Sequence, residues 1–212
     1  MPRTRIKICG LTSRRDAMAA VGAGADAVGV VFAESPRQVG IDEAADILAQ
    51  VPPFVARVGV FVDAPSEFVE AAVRGAGLSA VQFHGSETPA QCGKAPAPVI
   101  KTVRVGTEFD IEALEPFRGQ ASAVLLDKLD PQRHGGTGKT FSWRTIAELP
   151  EWAPTVLAGG LDPVNVGVAI SMVHPFAVDV SSGVEERPGH KDAHRMAAFV
   201  AAVRAADGEG SR

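Results

Sequence analysis

The sequence predicts an α/β fold, a closed (β/α)8 barrel of the TIM type in a single domain. Three observations lead there. Short apolar, β-branched runs alternate with helical patterns along the chain, eight of each. Those runs are close to continuous in Val, Ile and Leu, which suits a parallel sheet covered by helices rather than one facing water. The spacing is also even. Between the expected strand ends Cys9, Phe32, Val62, His84, Val105, Asp127, Gly159 and Ser181 the intervals are 21–23 residues, except for 30 from Phe32 to Val62 and 32 from Asp127 to Gly159. An open doubly wound sheet usually needs five or six such units, so eight near-equal ones favour closure into a ring.

Taken in order, the expected strands are Arg5–Cys9, Ala27–Phe32, Ala56–Val62, Ala80–His84, Val99–Val105, Ala123–Lys128, Thr155–Gly159 and Ala177–Ser181. The helical patterns between and after them fall near Arg14–Val21, Ile41–Gln50, Ser66–Arg74, Thr88–Cys92, Phe109–Phe117, Trp143–Leu149, Pro163–Val173 and His190–Ala205. The fourth is short and holds Pro89. Thr12 or Ser13 offers an N-cap oxygen to the first helix. The two long intervals come from AESPRQVG after strand two and LDPQRHGGTGKT after strand six. Both insertions leave the C-terminal ends of strands and therefore build one rim. The barrel is expected to occupy residues 1–206, with a frayed tail from Asp207 to Arg212.

Composition narrows the function classes. The chain has 212 residues, 46% of them hydrophobic, and a net charge of -4, with no basic stripe of the kind a nucleic-acid surface needs. Cys9 and Cys92 stand far apart and outside any CxxC pattern, which argues for a reducing compartment and against a disulfide framework or a zinc site. No apolar run approaches the ~18 residues of a membrane span. These features imply a cytoplasmic protein with neither nucleic acid nor membrane as partner. A monomer is expected, with a dimer as the alternative.

Two motif matches mislead. Gly22, Gly24 and Ala27 fit the dinucleotide fingerprint, but they follow a helix and precede a strand, the reverse of a phosphate-binding turn. HGGTGKT resembles a nucleotide-binding P-loop, yet Arg133 stands where its first glycine is needed.

The informative residues sit at strand tips, where an α/β barrel keeps its chemistry. Cys9 ends the first strand, just before Gly10 lets the backbone turn; it is either a buried structural thiol or a reactive one. Asp127 ends strand six on the same face as Leu125, and is either a loop cap or partner of Lys128, or an acid. Strands seven and eight lie between Cys9 and Asp127, leaving a gap on the order of 10 Å across the chord. Gly159 and Gly160 follow strand seven, and Ser181, Ser182 and Gly183 follow strand eight. In an eight-stranded barrel those two loops commonly grip a phosphate through backbone N–H groups. Arg37 is presented on the rim, where its guanidinium fork suits a carboxylate unless it is simply solvated. His84 either lines the mouth or bonds neighbouring backbone. By alternation Lys7, Lys101 and Asp179 face inward as a compensated charge cluster, and a cation near Cys9 would favour its thiolate.

These segments resemble the phosphoribosylanthranilate isomerase family of tryptophan biosynthesis, from KICGLT through SPRQV, VGVF, VQFHG, LLDK, GGTGKTF and LAGGLDPVNV to DVSSGVEERPGHKD. The resemblance implies a barrel enzyme without cofactor. Its substrate would be a small phosphorylated molecule, N-(5-phosphoribosyl)anthranilate, rearranged to 1-(2-carboxyphenylamino)-1-deoxyribulose 5-phosphate. By motif, Cys9 matches the general base, Asp127 the general acid, and Arg37 the arginine that engages the anthranilate carboxylate. The loops at Gly159–Gly160 and Ser181–Gly183 match the phosphate grip, with His84 and Asp179 also in the substrate site. Ser142 departs from the family, which often has Asp there. Such chemistry would require the acid's pKa to rise above ~3.9 and the thiol's to fall below ~8.5. Rival readings are a ribulose-phosphate epimerase, an indole-glycerol-phosphate synthase, or a non-catalytic barrel that binds a phosphoryl ligand. The first usually relies on a metal with aspartates and histidines, and the second on lysine and glutamate at its strand tips.

Overall fold

A computed structural model describes residues 3–106, 110–128, 146 and 149–209. Eight strands form a closed ring in chain order: β1 (Arg5–Ile8), β2 (Ala27–Val31), β3 (Ala56–Phe61), β4 (Ala80–Phe83), β5 (Val99–Val105), β6 (Ala123–Lys128), β7 (Thr155–Ala158) and β8 (Ala177–Val180). Every neighbour pair is parallel. Closure is made by β1 on β8, with Arg5, Ile6, Lys7 and Ile8 opposite Ala177, Val178, Asp179 and Val180. Alternation then sorts side chains into two compartments. Ile6, Ile8, Val28, Val30, Phe61, Val81, Phe83, Val124, Leu126, Leu157 and Val178 join the core shared with the helices, while Leu125, Val156, Ala158, Ala177 and Ile100 pack inside the ring.

Among the described residues the outer helices are α1 (Arg14–Ala23), α2 (Ile41–Leu48), α3 (Ser66–Gly75), α4 (Pro89–Gly93), α5 (Val166–Val173) and α6 (Ala193–Glu209), with a 3-10 helix at Ile111–Phe117. Ser13, rather than Thr12, caps α1 by accepting from the Asp16 N–H at 3.1 Å. Gly24 ends that helix in the left-handed region, as the reading of the false dinucleotide motif requires. Thr88 and Gln91 form a capping box around α4, with Pro89 at its first turn, where a missing N–H costs nothing. Among the described residues no helix is long and apolar enough to cross a membrane.

Several expectations give way. The segment after β5 is a 3-10 helix containing Pro116, whose ring would clash with the carbonyl four residues back in an α-helix. His190 and Lys191 do not start the last helix. They form β10 (His190–Lys191), antiparallel to β9 (Glu185–Arg187), in a small hairpin laid over the rim after β8. Asp207 to Glu209, expected in the frayed tail, belong to α6 instead, and the Asp207 carboxylate accepts from the Thr4 N–H and hydroxyl. The expected helix Trp143–Leu149, the segment LDPQRHGGTGKT and Ser142 lie outside the described residues, apart from Ile146 and Leu149.

Candidate active site

Cys9 follows β1 directly and is held there by backbone, its N–H donating to Val180 O at 2.9 Å. Gly10 turns the chain with φ of +77°, a conformation that favours glycine. Its N–H and that of Leu11 both reach Gly29 O. The sulfur fits because Gly29, on the inner face of β2, has no side chain. A methyl group there would lie 2.8 Å from Cys9 Sγ and 3.2 Å from Lys7 Cε.

Lys7 and Asp179 face the ring interior and form a buried pair at 3.0 Å. The pair and the Cys9 sulfur hold the Lys7 ammonium above its ordinary pKa in spite of burial. Burial acts the other way on Cys9 and pushes its thiol up, with Lys7 opposing. The expectation of a lowered thiol is therefore overturned: the cation is present, but desolvation outweighs it. Lys101 is a second correction. It lies on the helix side of β5, bonded to Glu87 Oε2 and to Gly85 O at 2.7 Å each, so it belongs to no interior cluster.

Across the ring, Asp127 stands near the end of β6 on the inner face, in register with Arg104 of β5. His84, just past β4, places Nε2 3.1 Å from Asp127 Oδ2, while Nδ1 meets the side-chain amide of Gln82 at 3.1 Å. His84 is thus bonded to side chains within the mouth, not to its neighbouring backbone.

The loops after β7 and β8 are packed on one another. Gly159 and Gly160 take φ of +87° and +69°. A Cβ on Gly183 would meet Leu161 O at 2.0 Å, so only glycine permits this approach. Asn165 braces the first loop, donating to Gly160 O at 2.8 Å and accepting from the Asp162 N–H at 2.9 Å. Ser181 accepts from Lys191 through its carbonyl at 3.1 Å and its hydroxyl at 3.4 Å. Ser182 opens a single 3-10 turn that runs through Gly183 to Val184.

Arg37 lies over Gly10, where an added Cβ would strike its Cδ. Its guanidinium is engaged by Glu185, Nε donating at 2.7 Å and Nη2 at 2.6 Å. The same carboxylate accepts from Lys191 at 2.8 Å. The Glu185 bond raises Arg37 above its usual pKa, whereas burial draws Lys191 below its own. Burial would raise Glu185, but the two cations win and hold it low.

The ten residues singled out from sequence thus gather around the C-terminal ends of the strands. Gly29, Gln82, Glu185 and Lys191 were missed. Glu185 and Lys191 carry charge that is nearly fully buried, but only the unforeseen hairpin brings them under Arg37. Gly29 gave no signal beyond being a glycine within a strand pattern, which can mark a close approach. A separate cavity of about 890 Å³ at the opposite end of the barrel, lined in part by Arg5, Thr155, His174 and Phe176, shares none of these residues.

Residues 6–202 match the family model described as N-(5'phosphoribosyl)anthranilate (PRA) isomerase. The chain belongs to that family. A PRA isomerase from Geobacter sp. (strain M21) is 49% identical over 199 residues, covering 93% of this chain and 97% of the relative. Among solved structures, the phosphoribosyl anthranilate isomerase from Thermotoga maritima is 43% identical, with a TM-score of 0.87 over 95% of this chain and 99% of that one. A further structure of the enzyme, in complex with reduced 1-(o-carboxyphenylamino)-1-deoxyribulose 5-phosphate, is 40% identical with a TM-score of 0.85 over 95% and 99%.

Proposed function

We propose that this PRA isomerase converts N-(5-phosphoribosyl)anthranilate to 1-(2-carboxyphenylamino)-1-deoxyribulose 5-phosphate in tryptophan biosynthesis, with Asp127 as general acid and Cys9 as general base. The observation that carries the assignment is placement. A carboxyl on β6 and a sulfur after β1 face one mouth, and the clasped loops after β7 and β8 occupy the arc between them. A phosphate seated on Gly159, Gly160, Ser181, Ser182 and Gly183 leaves the sugar between acid and base.

The reaction needs a proton on the furanose ring oxygen as the C1′–O bond breaks, with the amine lone pair forming an iminium. It then needs the proton at C2′ removed, so that those electrons neutralise the iminium and give an enolamine, which tautomerises to the ketone. Asp127 supplies the first proton and Cys9 takes the second. Because Cys9 rests as a thiol, the cations around it matter: Lys7, with Lys191 and Arg37 nearby, favours the thiolate on which C2′ deprotonation depends. Arg37 directs its remaining N–H groups at the anthranilate carboxylate. His84 steadies Asp127, and Asp179 steadies Lys7. This reading includes a cytoplasmic monomer. The alternative is a dimer, the form named for a Thermotoga maritima relative 39% identical with a TM-score of 0.84.

The test is loss of anthranilate fluorescence as phosphoribosylanthranilate, prepared in situ, turns over. Cys9→Ser and Asp127→Asn should each lower kcat by roughly 10²-fold or more. Turnover near wild type in both variants would refute the roles, and no turnover by the wild-type chain would refute the activity.

A further inference from the structure

Gln82 is 2% exposed and points into the ring from β4, below His84. Its amide nitrogen lies 3.1 Å from His84 Nδ1 and 3.3 Å from Thr102 Oγ1 on β5. Since His84 Nε2 is 3.1 Å from Asp127 Oδ2, one chain of polar contacts runs from the barrel interior to the acid at its mouth. Thr102 is itself buried, so the lower end of that chain is fixed.

The direction of the amide decides what the chain does. As placed, both amide hydrogens have acceptors, and Gln82 Oε1 is without a partner among the described residues. Turned over, the oxygen would face Nδ1 and Thr102 and would accept from both, with the ring proton then at Nδ1. The structure takes the first sense, with the amide nitrogen toward both His84 Nδ1 and Thr102 Oγ1. A donor aimed at Nδ1 makes that nitrogen the acceptor of the ring and puts its N–H at Nε2.

We infer that Gln82 is a positioning residue for the acid: by fixing the tautomer of His84 it makes Nε2–H a neutral donor to Asp127 Oδ2. The proton that the reaction spends is then carried on the other oxygen, Oδ1. When that proton has left, the same Nε2–H remains bonded to the carboxylate. A ring that carried N–H at Nδ1 instead would present a bare Nε2 and would draw the Asp127 proton toward itself, away from the sugar. The inference rests on the isomerase reading for its consequence, but its geometry can be tested apart from activity.

The experiment is ring-nitrogen NMR of the full-length protein, assigned by loss of the signal in His84→Asn, combined with steady-state kinetics. Wild-type His84 should show a protonated Nε2 and a bare Nδ1. Gln82→Glu, which offers an acceptor instead of a donor, should bring a proton onto Nδ1 and lower kcat roughly 10- to 100-fold with KM within about twofold. Gln82→Met, of similar length but with nothing to donate, should give a mixture of tautomers and a smaller loss. A wild-type ring protonated at Nδ1 would overturn the inference even if neither variant folds. So would folded variants that keep wild-type kcat or that lose affinity rather than turnover. A wild-type chain without turnover would sink the isomerase reading, and the ring spectrum would still decide the tautomer.

Discussion

Glu185 holds Arg37 by both carboxylate oxygens, receiving Nε at 2.7 Å and Nη2 at 2.6 Å. The grip fixes the plane of the guanidinium and leaves its other edge for the carboxylate contact proposed above. Arg37→Ala should raise KM about ten- to a hundredfold with a smaller effect on kcat, the size expected for one charged hydrogen bond of ~1.5–3 kcal/mol. Arg37→Lys should not restore it, because an ammonium cannot serve Glu185 and a ligand along two edges at once. Initial rates against substrate concentration settle the matter; an unchanged KM in Arg37→Ala would count against the role.

The raised thiol gives a pH dependence with a definite sign. Cys9 must ionise to act as base, so kcat/KM should climb with pH, with its ascending limb above the ~8.5 of an ordinary thiol. Alkylation by iodoacetamide should follow the same curve. Stability moves the opposite way. Above about 8.5 the unfolded chain loses a proton that the fold retains, so the fold weakens as pH rises through the window up to the folded value. Cys9→Ala should flatten that decline in alkaline melting curves.

Gly29→Ala tests the space beneath the sulfur. The new methyl would lie 2.8 Å from Cys9 Sγ and 3.3 Å from Cys9 Cα, which is backbone and cannot swing aside. A displacement of the sulfur by about 1 Å can cost roughly 10²-fold in rate. The variant should therefore fold, bind inorganic phosphate as before, and turn over slowly. Full activity would mean that Cys9 is not held by this contact.

Gly183→Ala addresses the clasp between the last two loops. Its Cβ would stand 2.0 Å from Leu161 O, so one loop must retreat from the other. Affinity for phosphate, read by titration calorimetry, should fall, and KM should rise while the acid and base stay in place. Wild-type phosphate affinity would remove these loops from the anion site.

The barrel was readable because repetition is a global signal: eight similar intervals survive errors of a few residues at each boundary. Facing was harder to read. Arg5–Cys9 alternates unambiguously, with Ile6 and Ile8 as its apolar set, and Lys7 and Cys9 were placed correctly from it. VIKTVRV offers two mixed sets, and alternation alone points Lys101 inward, whereas its partner Glu87 holds it outside. The mouth divides along the same line. Cys9 and Asp127 are visible as a thiol and a carboxyl at strand tips, whereas the places of Gln82 and Gly29 depend on what lies beside them in space. Glu185 and Lys191 were hidden because a two-residue strand such as β10 has no period to detect.

The ring closes between the two most distant parts of the chain. Lys7 meets Asp179 across 172 residues of sequence, and Thr4 meets Asp207 across 203. On the ribosome, β1 therefore stays unmatched on one side until Val180 has emerged, and its anchoring to the last helix waits longer still. A nascent chain holding the first seven strands carries two raw sheet edges, each able to pair with another copy. Translation that stalls before the final helix should yield aggregation-prone, chaperone-dependent fragments rather than a smaller working enzyme.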